Sequence, residues 1–437
     1  MPKSKQLNFA LLGLGKLGTG FYKVYEQKKE QLKVETGIQL NLQKILVKNP
    51  QFKRPKNIDP GLITSDLNDI IGDTAIHAVI DVTGSIEPVF SMLKQIIARG
   101  IHIISANRTL LASKMHDIAD FANINKIFIL PEPSLGGGVP IISTLQQDLV
   151  ANQVYSMVGI LSGNSNFILS EMTRNQVSLK SVLKTHNVSK MAESISIVDY
   201  EGSDAAQKVS ILAAGAFGID INYLNIYASG ISEVSVFDIQ CADDFGYEIK
   251  LLAILKEHDE SFEVHVHPTM VPKNHPLTLI RGDQNAYFME TDLTGEYVIY
   301  GRGVGVEASS SIILRDLVAV GNLLRAGATR KSAYSLNWNN KPVLPMEDIL
   351  SAYYIRFPCL DQPGVVGKIT TAMGKSGINL ASAHAEINKK RSADTGYVTV
   401  LVDEAKESAI HSAIKQIEQL DIIKGRVKLF RILRSEE

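Results

Sequence analysis

Cysteine is nearly absent: Cys241 and Cys359 are the only two in 437 residues. Two cannot build a disulfide framework or a multi-cysteine metal site, and the scarcity fits a reducing compartment. No charge of either sign is in excess, with 45 Lys+Arg against 46 Asp+Glu and a formal net charge of -1. The chain therefore lacks the basic surplus of a nucleic-acid or anionic-membrane binder. No apolar run approaches the roughly 20 residues that would span a bilayer. The N-terminus opens with basic residues and a short apolar stretch, but Gly13, Gly15 and Gly18 interrupt it. A strand–turn–helix explains those glycines better than a signal peptide does, so a soluble, cytoplasmic chain is expected. What remains is an ordinary globular composition, 45% hydrophobic and 21% charged. At about 100–200 residues per domain the length allows two to four domains.

Residues 8–12 are apolar and long enough for a buried strand. They lead into Gly13-Leu14-Gly15-Lys16-Leu17-Gly18 and a helical stretch over 16–30. This is G-x-G-x-x-G between a strand and a helix, where the glycines allow a tight turn and let a pyrophosphate approach backbone N–H groups. A ligand-free glycine turn is the competing reading. A second strand over 40–47 ends on Lys48-Asn49 rather than on an acid. A cation there suits a 2′-phosphate, which favours NADP over NAD, although surface lysines are common. Further strands are expected at 78–82, 101–105 and 127–130, with helices over 88–99 and 111–122. The alternation predicts a doubly wound parallel α/β sheet, a Rossmann domain over 1–135. Ligands in such sheets lie beyond the carboxyl ends of the strands, which here carry Thr83-Gly84-Ser85, Ser105-Ala106-Asn107-Arg108 and Glu132.

The Gly- and Pro-rich segment 131–140 marks the change to a second, α+β domain over 136–340. Its three consecutive glycines can also turn backbone carbonyls towards a hard cation. Residues 159–167 read as a strand ending in a polar loop that opens a helix. Glu193, Asp199, Asp204 and Lys208 then fall within sixteen residues. Ser203 suits an N-cap, and Asp204 and Lys208 share one helix face at i,i+4. The pair is either a surface salt bridge or a lysine proton donor oriented by an aspartate. His265 and His267 alternate on one strand face; no carboxylate or cysteine is read close by in sequence to complete a metal site, so a structural role is preferred. Gly301-Arg302-Gly303 forms a second glycine-rich loop ahead of a helix over about 312–326.

After a Pro-containing linker at 341–345 the chain reads as strand 352–356, turn Asp361-Gln362-Pro363-Gly364, helix 365–376, strands 378–387 and 397–402, helix 405–419 and strand 427–433. The order βαββαβ predicts a ferredoxin-like module over 350–437.

Taken in order, these motifs resemble the homoserine dehydrogenase family across essentially the whole chain. The run Asp199-x-x-Gly202-x-Asp204-x-x-x-Lys208 is the most specific, and the last module resembles an ACT domain. The resemblance implies NAD(P)H-dependent reduction of L-aspartate 4-semialdehyde to L-homoserine, on the route to threonine and methionine. It implies Lys208 as acid/base, Asp204 orienting it and holding substrate, and Glu193 and Asp199 contacting substrate. Cofactor contacts are implied at 13–18, Lys48, Thr83, Gly84, Ser105, Asn107, Arg108 and Gly303. Backbone carbonyls of Glu132, Leu135, Gly137 and Val139 match a sodium site. The resemblance further implies a homo-oligomer, a helix at 309–326 packing back on the first domain, and an amino-acid effector such as threonine at the ACT turn.

The chain also departs from the family pattern. Arg108 stands where a lysine is usual, Met191 replaces a substrate-contacting tyrosine, Ile195 replaces an aspartate, and Asn164 replaces a threonine. Alternatives are thus an oxidoreductase of the same kind acting on another small aldehyde or hydroxy compound, and a non-catalytic amino-acid sensor.

Overall fold

The computed structural model describes residues 5–51, 58–185, 197–327, 338–387 and 395–434. The chain divides into two compact units, and neither is continuous in sequence. The first comprises residues 1–164, 203–226 and 283–341; the second comprises 165–202, 227–282 and 342–437.

The first unit is built on six strands: β1 (Lys5–Leu12), β2 (Ile38–Leu46), β3 (Ile63–Thr64), β4 (Ala78–Asp81), β5 (His102–Ser105) and β6 (Ile129–Leu130). They are parallel, in the order β3-β2-β1-β4-β5-β6. The chain thus reverses direction across the sheet between β1 and β4, the switch point at which such sheets open a ligand crevice. β4 and β5 are buried at every position, as continuous apolar strands covered on both faces must be.

The first helix, Lys16–Thr36, runs six residues beyond its expected end and stops at Gly37, whose φ of 70° is a left-handed C-cap. Polar residues such as Gln31 and Lys33 hid the continuation, because they lie on the solvent side. Arg108–Asn125 starts three residues before its expected start, because Asn107 caps it by accepting from Leu110 N–H. The helix Val306–Ala326 also begins early. Its Ile313, Leu314, Leu317 and Val320 share one core with Phe9, Phe21 and Tyr25. Contact there is close: a Cβ on Gly20 would fall 2.0 Å from Val306 Cγ1. The unit also holds three antiparallel strands, Val154–Ile160, Gln284–Thr291 and Gly295–Arg302, with Gln284–Thr291 in the middle.

In the second unit, Tyr247–Glu257 and Phe262–Pro272 pair antiparallel over their full length. Phe262–Pro272 then runs parallel to Lys428–Ile432, the last strand of a βαββαβ module. Within that module the spatial order is fourth, first, third, second, with antiparallel pairing throughout. Helices Val365–Lys375 and Glu407–Ile417 cover one face, burying Ile369, Met373, Ile410 and Ile417 against Tyr353, Phe357 and Val400. This is the expected ferredoxin-like arrangement. Its third strand continues to Lys406, so the second helix begins two residues later than the sequence pattern predicts.

Candidate active site

Asp204 and Lys208 lie in the helix Ser203–Phe217, which starts at Ser203 itself. The remaining buried positions of that helix are almost all Ala, Val, Ile and Leu, so the two charged residues go down with a core face. They are 7% and 3% exposed, which removes the reading of a surface ion pair. Lys208 Nζ lies 2.9 Å from Asp204 Oδ2 and donates to the Leu161 carbonyl at 2.7 Å. The other carboxylate oxygen, Oδ1, accepts from Arg108 Nη1. Arg108 is anchored in turn by Nε donating to the Ser134 carbonyl at 2.9 Å. Burial raises the Asp204 carboxyl pKa, but Arg108 and Lys208 outweigh it and hold the group below its ordinary value. An ionised carboxylate therefore sits between two cations.

The turn at 136–138 closes over this cluster. Gly136 has φ 74° and ψ 163°, a region open to glycine alone. A Cβ there would lie 3.0 Å from Arg108 Nη2 and 3.7 Å from Lys208 Nζ. A Cβ on Gly137 would fall 2.3 Å from the Arg302 carbonyl, and Gly138 N–H donates to that carbonyl at 2.8 Å. The loop holding Gly303 is thereby fixed against the turn; Gly303 N–H donates to the Asp283 carbonyl at 2.8 Å. Asn164 follows the Leu161 carbonyl by three residues, and its Oδ1 is buried without a hydrogen-bond partner among the described residues.

Around the first glycine loop, Gly13 adopts φ 98°, and a Cβ on Gly18 would fall 2.5 Å from the Gly13 carbonyl. Both positions need glycine, one for backbone shape and one for helix–strand contact. Among the described residues, no atom beyond the chain neighbours lies within 4 Å of where a Gly15 Cβ would point. The helix behind it has neither a side-chain cap nor an acid in its first turn, so its N–H groups and dipole remain available to a phosphate. At the ends of β4 and β5, Thr83 Oγ1 donates to Asp81 Oδ1 at 2.6 Å, and Asn107 Nδ2 donates to Thr83 Oγ1 at 3.0 Å and to the Ser85 carbonyl at 2.9 Å. Asp81 is fully buried, and burial raises its carboxyl pKa despite these donors. Ser105 Oγ reaches its second oxygen at 3.4 Å. Lys48 is exposed just past β2.

The structure thus brings Arg108, Asp204, Lys208, Gly136 and the loop starting at Leu161 together. Asp199 lies in the second unit, where its carbonyl accepts from Ser165 Oγ at 2.5 Å. Met191, Glu193 and Ile195 fall outside the described residues. His265 does have a carboxylate neighbour that the sequence reading overlooked: Glu263 Oε1 is 2.7 Å from its Nε2. Among the described residues, no group of three or more His, Cys, Asp or Glu is placed to hold a metal ion. Other participants overlooked in sequence are Asp81, the Ser134 and Leu161 carbonyls, and Tyr287. Tyr287 is buried, and its hydroxyl pKa is raised by burial and then by Glu132.

Comparison with known proteins identifies the family. A family model described as homoserine dehydrogenase matches residues 140–318, its NAD-binding domain matches 13–130, and an ACT domain model matches 353–421. Named homoserine dehydrogenases from Synechocystis and Helicobacter pylori are 31% and 32% identical, each over 98% of this chain and 99% of the relative. A crystal structure of a homoserine dehydrogenase from Thiobacillus denitrificans superposes with a TM-score of 0.90 at 31% identity, covering 98% of both chains. Among the described residues no helix is long and apolar enough to cross a membrane. By sequence, fold and domain order, the chain belongs to the homoserine dehydrogenase family of oxidoreductases, with an NAD-binding domain and an ACT domain.

Proposed function

We propose that the chain reduces L-aspartate 4-semialdehyde to L-homoserine and that Lys208 supplies the proton. The carrying observation is the buried Lys208 ammonium, fixed by Asp204 and the Leu161 carbonyl beside the glycine turn. A nicotinamide dinucleotide, when bound, supplies the hydride. The free space at Gly15 and the uncapped helix behind it suit its pyrophosphate. As negative charge develops on the aldehyde oxygen, the ammonium stabilises it and transfers one N–H proton. Asp204 keeps that ammonium oriented. Arg108, with a guanidinium that does not deprotonate, binds Asp204 and adds positive charge without exchanging a proton.

Finer readings follow from single features. Lys48, exposed at the end of β2 with no acid beside it in sequence, favours NADP over NAD. The carbonyls of Glu132, Leu135, Gly137 and Val139 would hold a sodium ion, which would place fixed positive charge under the turn carrying Gly136. Two left-handed glycines and a Val139 carbonyl that accepts from Ile141 N–H at 3.1 Å are compatible with it. The ACT turn presents Gly364, at φ 86°, as an N-cap without a side-chain bond, which suits the carboxylate of an amino-acid effector such as threonine. Strand Gly295–Arg302 leaves Tyr297 and Tyr300 exposed, which favours a homo-oligomer. Both cysteines are buried thiols, which favours a cytoplasmic protein.

Asn164 Oδ1, buried with no partner among the described residues, supports the second reading, a related small aldehyde as substrate. NADPH oxidation with L-aspartate 4-semialdehyde, set against other small aldehydes, decides between them. Turnover of another aldehyde without turnover of the semialdehyde refutes the first assignment.

A further inference from the structure

The second unit contains a cavity of about 830 Å³, lined by the strand Phe262–Pro272 and by the start of the ACT module. Its size falls within the range of small-molecule sites. Glu263, His265, His267 and Thr269 reach it from alternate positions of one strand, and Arg431 from the neighbouring strand. Thr269 and Arg431 face each other in the parallel register.

Two buried nitrogen atoms in this wall have no hydrogen-bond partner among the described residues: His265 Nδ1 and His267 Nε2. The rings are 3% and 1% exposed and stack with centroids 4.8 Å apart. Burial raises the Glu263 carboxyl pKa, but bonding to His265 outweighs it, so the group is held ionised. His265 Nε2 must then donate to it, at 2.7 Å. Thr269 Oγ1 lies 3.1 Å from the His267 carbonyl, to which it can donate its one proton, and 2.8 Å from His267 Nδ1. Donation to the carbonyl leaves the Thr269 oxygen to accept from His267 Nδ1–H, the tautomer on which the proposal below rests. Burial keeps His267 neutral, and in that tautomer its Nε2 presents a lone pair that needs a donor. Arg431 commits Nε and Nη2 to Glu407, while Nη1 makes no hydrogen bond among the described residues. Unsatisfied buried polar nitrogens are rare in folded proteins, and these share a cavity wall with the Glu263 carboxylate and the Arg431 guanidinium.

We propose that this cavity binds a small zwitterion of the α-amino acid class, with its ammonium at His267 Nε2 and the Glu263–His265 pair and its carboxylate at Arg431 Nη1. The site is separate from the ACT turn. The cavity touches Leu350 and Ala352 at the start of the strand Leu350–Leu360, whereas Asp361-Gln362-Pro363-Gly364 follows its other end. The proposal does not depend on the reaction assigned to Lys208.

The test is calorimetric titration of the full-length protein with each of the protein L-amino acids, and with n-butylamine and butyrate as half-ligands. At least one amino acid is expected to bind, with both half-ligands far weaker. His267→Gln is expected to weaken that binding about tenfold or more, and Asp361→Ala to leave it unchanged. If His267→Gln melts abnormally, Thr269→Val replaces it; losing the hydroxyl that sets the His267 tautomer is expected to weaken binding severalfold. Absence of amino-acid binding overturns the proposal. So does binding that Asp361→Ala abolishes while the cavity variants leave it intact, and so does butylamine binding as tightly as the amino acid.

Discussion

Lys208→Ala and Asp204→Asn separate the chemistry of this site from its stability. Lys208 Nζ is bonded to Asp204 Oδ2 at 2.9 Å and to the Leu161 carbonyl at 2.7 Å, in a position that is 3% exposed. A positioned general acid contributes about 10²–10⁴-fold, or roughly 2.7–5.5 kcal/mol of barrier. Lys208→Ala is expected to lose kcat by that factor with little change in the KM for NADPH. It leaves Asp204 still paired with Arg108, so the melting temperature should fall only modestly. Asp204→Asn removes the carboxylate from between two cations and leaves Lys208 and Arg108 as like charges. Breaking a buried pair from one side costs about 3–5 kcal/mol, so this variant should melt several degrees lower as well as lose activity. Steady-state NADPH oxidation and thermal melts on the same samples read both quantities. A Lys208→Ala enzyme within about tenfold of the parent kcat would refute Lys208 as the proton source.

Three further outcomes follow from the same geometry. Gly136→Ala forces a side chain onto φ 74° and to within 3.0 Å of Arg108; it should cost about 1–3 kcal/mol of stability and lower kcat, and an unchanged kcat would show that the turn does not shape the site. Gly18→Ala puts a Cβ 2.5 Å from the Gly13 carbonyl, so the KM for NADPH should rise far more than the KM for the semialdehyde, as measured by varying each in turn. In the ACT module, burial raises the Glu407 pKa, but His411, Arg431 and Tyr353 outweigh it and bring it to about 2. A depressed carboxyl pKa gives stability that is present above the unfolded value and lost as pH falls through the folded one. Glu407 should therefore contribute about 3 kcal/mol at neutral pH, lost between roughly pH 5 and pH 2; Glu407→Gln should flatten that part of the melting-temperature profile.

What could be read from sequence was local. The glycine loop, the alternating strands and the βαββαβ order each announce themselves within a few residues. So does the Asp204–Lys208 pair, because i,i+4 spacing fixes a shared face. The partners that make the pair a site were hidden because backbone acceptors carry no residue identity. The Leu161 carbonyl holds Lys208 and the Ser134 carbonyl holds Arg108, and any residue at those positions offers the same oxygen. Asp81 was hidden at the end of an apolar strand, where its burial and its bond to Thr83 have no sequence signature. Glu263 was legible: it lies two residues from His265, on the same strand face, and the period of two predicts their contact.

Arg108 shows where resemblance and geometry diverge. The family pattern marks it as a departure from lysine, which as a bare substitution suggests a lost acid/base. In the fold the guanidinium spans two acceptors, the Ser134 carbonyl through Nε and Asp204 through Nη1. An ammonium on a flexible stem has no planar fork to reach both in fixed geometry. In the proposed reaction residue 108 would therefore clamp Asp204, while Lys208 would supply the proton. Arg108→Lys should then lower kcat by loosening Asp204, with the alkaline limb of the pH–rate profile unmoved. A new ionisation in that profile would instead show that residue 108 exchanges protons.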